Sequence, residues 1–72
     1  MNVPERVSKW LRDWKGHGHC DRCIAENLKL ARPQQAQQAT NALATAHGFW
    51  QKRDECYGCF NKRKITGWRQ PN

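Results

Sequence analysis

Residues 20–23 read CDRC and residues 56–59 read CYGC, and these two pairs hold all four cysteines of a 72-residue chain. A chain this short forms one domain and buries too little apolar surface to be stable without help. It usually needs a disulfide or a metal as a staple. The choice between those staples depends on compartment. No long apolar run spans a membrane, and the N-terminus, MNVPERVSKW, carries charges where a signal peptide needs an apolar stretch. The expected location is therefore the cytoplasm, where thiols stay reduced. Size places the chain among bacterial, phage or plasmid products.

Under reducing conditions, two C-x2-C pairs have the layout of a four-thiolate zinc site. A two-residue spacer lets a tight turn aim two sulfurs at one ion, and two such knuckles complete a tetrahedron. Cys20, Cys23, Cys56 and Cys59 are the expected ligands, and one structural zinc ion is the expected cofactor. Gly58 is expected to supply the backbone freedom that the second knuckle needs. The competing readings are two disulfides or a redox-active C-x-x-C. His17 and His19, in GHGHC, and His47 are substitute ligands if a thiolate is missing; otherwise they are loop histidines. Four thiolates leave no open coordination position, and the H-x-E with P-C-x-x-C pattern of zinc deaminases is absent. The sequence therefore predicts a structural metal and no enzyme.

Thirteen Lys and Arg against six Asp and Glu give a formal charge of +7. Four thiolates and a divalent ion together add two negative charges, which takes the folded domain to about +5. The balance points to a polyanion, most often nucleic acid.

Along the chain, residues 3–14 read as a helix, with Val7, Trp10, Leu11 and Trp14 forming one apolar stripe for the core. Residues 20–28 read as a short second helix in which Asp21 suits the positive start. The same helix field is expected to favour thiolates at Cys20 and Cys23. Lys29 to Arg32 form a tight connection anchored by Leu30. Residues 33–47 read as a third helix beginning at Pro33, without a Ser, Thr, Asp or Asn cap. Ala36, Ala39, Thr40 and Leu43 form its inner face. Gln34, Gln38, Asn41 and Thr45, flanked by Gln37, form an outer face of uncharged polar residues, where solvated helices usually carry Lys and Glu. GFWQKRDEC and KRKITGW (residues 62–68) read as two strands of a β-hairpin with the CYGC knuckle at its turn. Residues 69–72 read as a tail on a single 1–68 domain.

IAENLKLARPQQAQQATNAL followed by AHGFWQKR resembles the winged helix-turn-helix superfamily. The resemblance covers roughly residues 3–68 as an architecture and implies an α+β fold: three helices and a C-terminal hairpin, stapled here by zinc. The chain departs from the family in carrying Lys29 where Gly is common, and in having a zinc site at all. The resemblance implies that helix 33–47 enters a DNA major groove. Gln34, Gln37, Gln38 and Asn41 would then read bases, since Gln and Asn bond adenine bidentately. Lys29 and Arg32 would contact phosphate at the helix entrance, and Lys52, Arg53, Lys62, Arg63 and Lys64 would do so from the hairpin.

The first functional expectation is thus a duplex-DNA-binding transcriptional regulator, used as a homodimer or with a protein partner. The second is a zinc-stabilised protein-interaction adaptor, gripping a partner through its amide face or through exposed Trp50, Tyr57, Phe60 and Trp68. The third is RNA or single-strand binding, with Trp50, Tyr57 or Phe60 stacking on bases.

Overall fold

The computed structural model describes residues 2–70. Three helices, α1 (Val3–Asp13), α2 (Asp21–Leu28) and α3 (Pro33–Leu43), accompany three strands, β1 (His19–Cys20), β2 (Phe49–Glu55) and β3 (Lys62–Trp68). The fold is α+β, with an antiparallel sheet of order β1-β3-β2. Of the expected 69–72 tail, Pro71 and Asn72 lie outside the described residues. Arg69 is tied in, its N–H donating to the Gly48 carbonyl at 2.8 Å.

The helices form where the periodicity placed them. Asn2 caps α1, its Oδ1 accepting the Glu5 N–H at 2.9 Å. Val7 and Leu11 are fully buried, but Trp14 leaves the core: it is the C-cap residue and 40% exposed. The helix stops one residue short of the expected stripe, and the side chain turns outward with it. At α3, Pro33 occupies the first turn, and the missing cap is replaced by Gln35, whose Oε1 accepts the Arg32 N–H at 3.3 Å. This helix ends at Leu43 rather than residue 47, because residues 44–48 turn toward β2 and Gly48 takes φ +92°.

Small residues set how closely the helices pack. Ala25, Ala36 and Ala39 are buried with Val7, Leu11 and Ile24, and Trp10, Leu28, Leu30, Leu43, Phe49 and Trp68 pack around them. Trp68 is therefore half-buried against the helices rather than free at the tail. Burying a large aliphatic side chain contributes about 1.5–3 kcal/mol, and only a few are available. A second cluster, Cys20, Cys23, Cys56 and Ile65 with Trp50 and Cys59 against it, sits at the other end.

β1 is an addition to the expected hairpin. His19 pairs with Thr66, and Cys20 with Ile65. In β2 and β3 the register runs unbroken from Phe49↔Trp68 to Glu55↔Lys62. Directly paired residues share a sheet face. One face, which we call inner, carries Phe49, Gln51, Arg53 and Glu55 with Trp68, Thr66, Lys64 and Lys62. Through Phe49 and Trp68 it packs on the helical core. The outer face carries Trp50, Lys52 and Asp54 with Gly67, Ile65 and Arg63.

The α2–α3 connection closes without glycine. Lys29 takes φ +55°, its N–H bonding the Glu26 carbonyl at 3.3 Å, while the Leu30 N–H bonds the Ala25 carbonyl at 2.9 Å. This is the Schellman pattern, with lysine at the left-handed position that glycine normally fills. A non-glycine residue there costs of order 1–3 kcal/mol, and glycine returns part of that gain as chain entropy in the unfolded state. Lys29→Gly is thus expected to stabilise the domain by roughly 0.5–1 kcal/mol, seen as a thermal midpoint a few degrees higher. A lowered midpoint would show that the lysine side chain contributes more than its backbone strain removes.

Candidate metal centre and nucleic-acid surface

The four cysteines arrive from three places. Cys20 closes β1 and caps α2, Cys23 lies in the first turn of α2, and Cys56 and Cys59 lie in the β2–β3 connection. Their ligand atoms all lie within 4.8 Å of one another. Cys20 Sγ is 3.9 Å from Cys59 Sγ, and Cys56 Sγ is 3.6 Å from Cys23 Sγ. A tetrahedron with metal–sulfur bonds of about 2.3 Å has edges of about 3.8 Å, so these separations suit one ion. They are far from the roughly 2.05 Å of a disulfide, and all four thiols are free. The group is in position to hold a metal ion.

The surroundings prepare some sulfurs for charge and not others. Burial pushes the Cys23 and Cys20 thiols up from their ordinary range. The α2 helix field expected to favour thiolates there is thus outweighed by desolvation. At Cys56 burial also acts to raise the value, but backbone N–H groups of Cys20, Cys59 and Gly58 override it, and the net shift is downward. The Cys20 and Gly58 N–H groups each donate to Cys56 Sγ at 3.3 Å. Cys59 is brought down to about 6, first by the Asn61 backbone N–H. The hairpin knuckle is thus biased toward thiolate, and an ion held here would have to displace protons from the helix pair.

Gly58 has a different role from the one expected. It has no positive φ; Phe60 takes the left-handed conformation, at φ +62°. An added Cβ at Gly58 would lie 3.1 Å from Cys23 Sγ, so the second knuckle passes close over that sulfur and a side chain there would have to push it aside.

The histidines stand apart from the sulfurs. His19 is not a loop residue: it lies in β1, 3% exposed, with its ring 4.5 Å from Trp10 and 5.7 Å from Trp14. Burial, and then His17, lower its pKa. His17 stacks on Tyr57 at 4.0 Å. His47 is exposed in the turn after α3.

On α3, Gln34, Gln37, Gln38 and Asn41 are all exposed, and so are Lys29 and Arg32 before it. The hairpin cations divide between two faces. Arg53, Lys62 and Lys64 share the inner face, whereas Lys52 and Arg63 share the outer face. Lys62 pairs in register with Glu55, and Arg63 with Asp54, so both face an opposite charge.

A chain of polar contacts joins α3 to the metal end, and it involves two of the expected nucleic-acid contacts. Lys64 Nζ donates to Asn41 Oδ1 at 2.8 Å and lies 3.8 Å from Asp21 Oδ2. The buried Thr40 hydroxyl donates to Asp21 Oδ1 at 2.8 Å. Gln51 Nε2 reaches Asn41 Oδ1 at 3.4 Å and Thr66 Oγ1 at 3.1 Å. Asp21, the residue next to Cys20, is thereby joined to both α3 and β3. The pattern was hidden from sequence reading, since its members come from four separate segments.

Of the aromatics expected to be exposed, Tyr57 is 44% and Phe60 66% exposed, whereas Trp50 is half-buried. The Trp50 indole lies against Gly67 and Gly18, where an added Cβ at either position would collide with the ring. Lys52 Nζ sits 5.3 Å from the Trp50 ring and 3.3 Å from Asp54 Oδ2. No described helix is long and apolar enough to cross a membrane.

No family model matches the chain, and no solved structure matches it. The chain is similar to a ribosomal RNA large subunit methyltransferase M of Colwellia psychrerythraea, with 37% identity over 62 residues that cover 86% of this chain. The match spans only 17% of that protein's length.

Proposed function

We propose that this chain is a zinc-stapled nucleic-acid-binding domain of winged helix-turn-helix type, and that α3 reads a duplex. The observation that carries the reading is the outer side of α3. It presents Gln34, Gln37 and Gln38 with no acidic residue anywhere in the helix, and Lys29 and Arg32 stand at its entrance. Arg53 and Lys62 lie on the sheet face that adjoins it. Amides that bond base edges, framed by cations that bond phosphate, form the division of labour expected of a major-groove reader. A net charge near +5 in the metal-bound form favours the same class of partner. The relative's name places that protein on ribosomal RNA, which supports nucleic acid as the class. A helix cannot enter the narrow major groove of A-form RNA, so α3 as reader favours duplex DNA.

Asn41 takes a different role from the glutamines. Bidentate adenine contact needs the amide oxygen as acceptor, and Asn41 Oδ1 already accepts from Lys64 and Gln51. In this reading Asn41 and Lys64 fix the angle between α3 and the hairpin, and the glutamines read. The ion is zinc: four thiolates at tetrahedral spacing suit zinc or iron, and a closed all-cysteine site without redox partners suits zinc.

Two results test this. Purified protein is expected to hold one zinc per chain and no iron by elemental analysis. Chelation, or Cys56→Ser, is expected to unfold the domain by circular dichroism, because metal binding supplies folding energy. A metal-free chain with native circular dichroism rules the staple out.

For the reading helix, Gln38→Ala is expected to keep the fold and lose about 1–3 kcal/mol of discrimination between selected and scrambled duplexes. Asn41→Ala is expected to lower stability by about 1 kcal/mol and leave discrimination in place. Equal discrimination by wild type and Gln38→Ala removes α3 as the reader.

A further inference from the structure

The outer sheet face, which the duplex reading leaves unused, has features of its own. Two hollows open on it, of about 230 and 320 Å³. They share Gly16, Trp50 and Lys52 and so meet at the Trp50 ring. The first is bounded by Tyr57 and Phe60 on the knuckle, the second by Gln51 and Arg69.

Phe60 is the informative residue. Its backbone is left-handed, which asparagine or glycine would adopt at lower cost. Its ring is 66% exposed and belongs to neither core cluster. The position thus carries backbone strain and exposed apolar area without packing in return. Trp50 is held by complementary means, since glycines at 18 and 67 let the indole lie flat against the sheet. Trp50, Tyr57 and Phe60 border the first hollow, and Lys52 and Arg69 border the second. Arg63 adds a further cation on the same face. Asp54 and Glu55 also line the first hollow, and Asp54 is engaged by Lys52.

We propose that this face, from Phe60 across Trp50 to Arg69, is a track for an unpaired nucleic-acid strand. A base stacks at the Phe60 end, and Lys52 and Arg69 follow the phosphates. Alternating aromatic and cationic groups in an open groove are the requirement for sequence-tolerant single-strand binding. With Arg63 there are three cations against Asp54 and Glu55, and the open hollows fit a strand better than a protein, which would need a larger apolar surface. The track rests on the nucleic-acid reading proposed above and lies on the sheet face opposite the one that adjoins α3. Duplex and single-strand binding are therefore separable by mutation.

The test uses the zinc-loaded 72-residue chain and labelled oligonucleotides: a short mixed-sequence single strand, as RNA and as DNA, and a duplex of the same sequence. Affinities are read by fluorescence anisotropy. Phe60→Asn removes the ring and keeps a residue that tolerates the left-handed backbone, so the thermal midpoint is expected to hold or rise. Single-strand affinity for RNA, DNA or both is expected to fall about five- to hundredfold, with duplex affinity unchanged within experimental error. Gln38→Ala serves as the converse control and leaves single-strand affinity unchanged. Unaltered single-strand binding by Phe60→Asn overturns the proposal. So does a wild-type protein that binds duplex and no single strand; in that case the α3 reading survives, and the aromatic rim is left to a protein partner. A wild-type protein that binds neither nucleic acid overturns both.

Discussion

The convergence of four sulfurs is the constraint on which the rest depends. Cys23 and Cys56 are separated by 32 intervening residues, yet their sulfurs lie 3.6 Å apart. Closing that loop brings the start of α2 against the hairpin turn. The aliphatic core lies with the helices, and the second cluster is chiefly the cysteines themselves with Ile65 and Trp50, bordered by the buried His19 and the rings that pack on it. Without an ion, the same cluster is a set of desolvated thiols, two of them held above their ordinary pKa by burial. Thiols held neutral by burial must lose their protons before they can bind an ion, so on the zinc reading metal loading would weaken as pH falls.

The metal end is not isolated from the helical end. Asp21 follows a ligand cysteine directly and bonds both Thr40 of α3 and Lys64 of β3. Lys64 in turn holds Asn41, and Gln51 joins Asn41 to Thr66. A buried hydroxyl and a half-buried carboxylate are costly unless satisfied, and here each satisfies the other. The result is a defined angle between α3 and the sheet. Packing through alanines alone would fix that angle less tightly, since small flat surfaces slide with little penalty.

Features governed by spacing and period were legible in the sequence. The cysteine pairs announced their cluster, and Ala36, Ala39 and Thr40 announced the inner face of α3. What escaped depended on neighbours distant in sequence. β1 is two residues long and has no period to detect, so His19 read as a loop residue although it packs under Trp10. Trp14 and Trp68 exchanged their expected environments. A large ring is buried or not according to what lies opposite, and helix periodicity cannot supply that. Gly58 was rightly singled out but for the wrong reason: its value is close approach to Cys23, while the left-handed conformation fell to Phe60, a residue that no propensity would have nominated.

A hairpin tied down near its turn has a consequence for how it can be used. A free wing gains contacts by swinging into a groove and loses conformational entropy in doing so. Here the Cys56 and Cys59 sulfurs join the four-cysteine cluster, Tyr57 is bonded through its N–H to the Gly18 carbonyl at 2.9 Å, and its ring is stacked on His17. Such a tip is poorly suited to adapt to a partner's shape. It is well suited to present a ring at a fixed position, because the ordering cost has already been met in folding rather than at binding. Rigidity at the knuckle therefore favours a surface that waits for a flexible ligand. An unpaired strand is more flexible than a duplex and can bring its bases to a Tyr57 ring held on His17 and an indole held against the sheet.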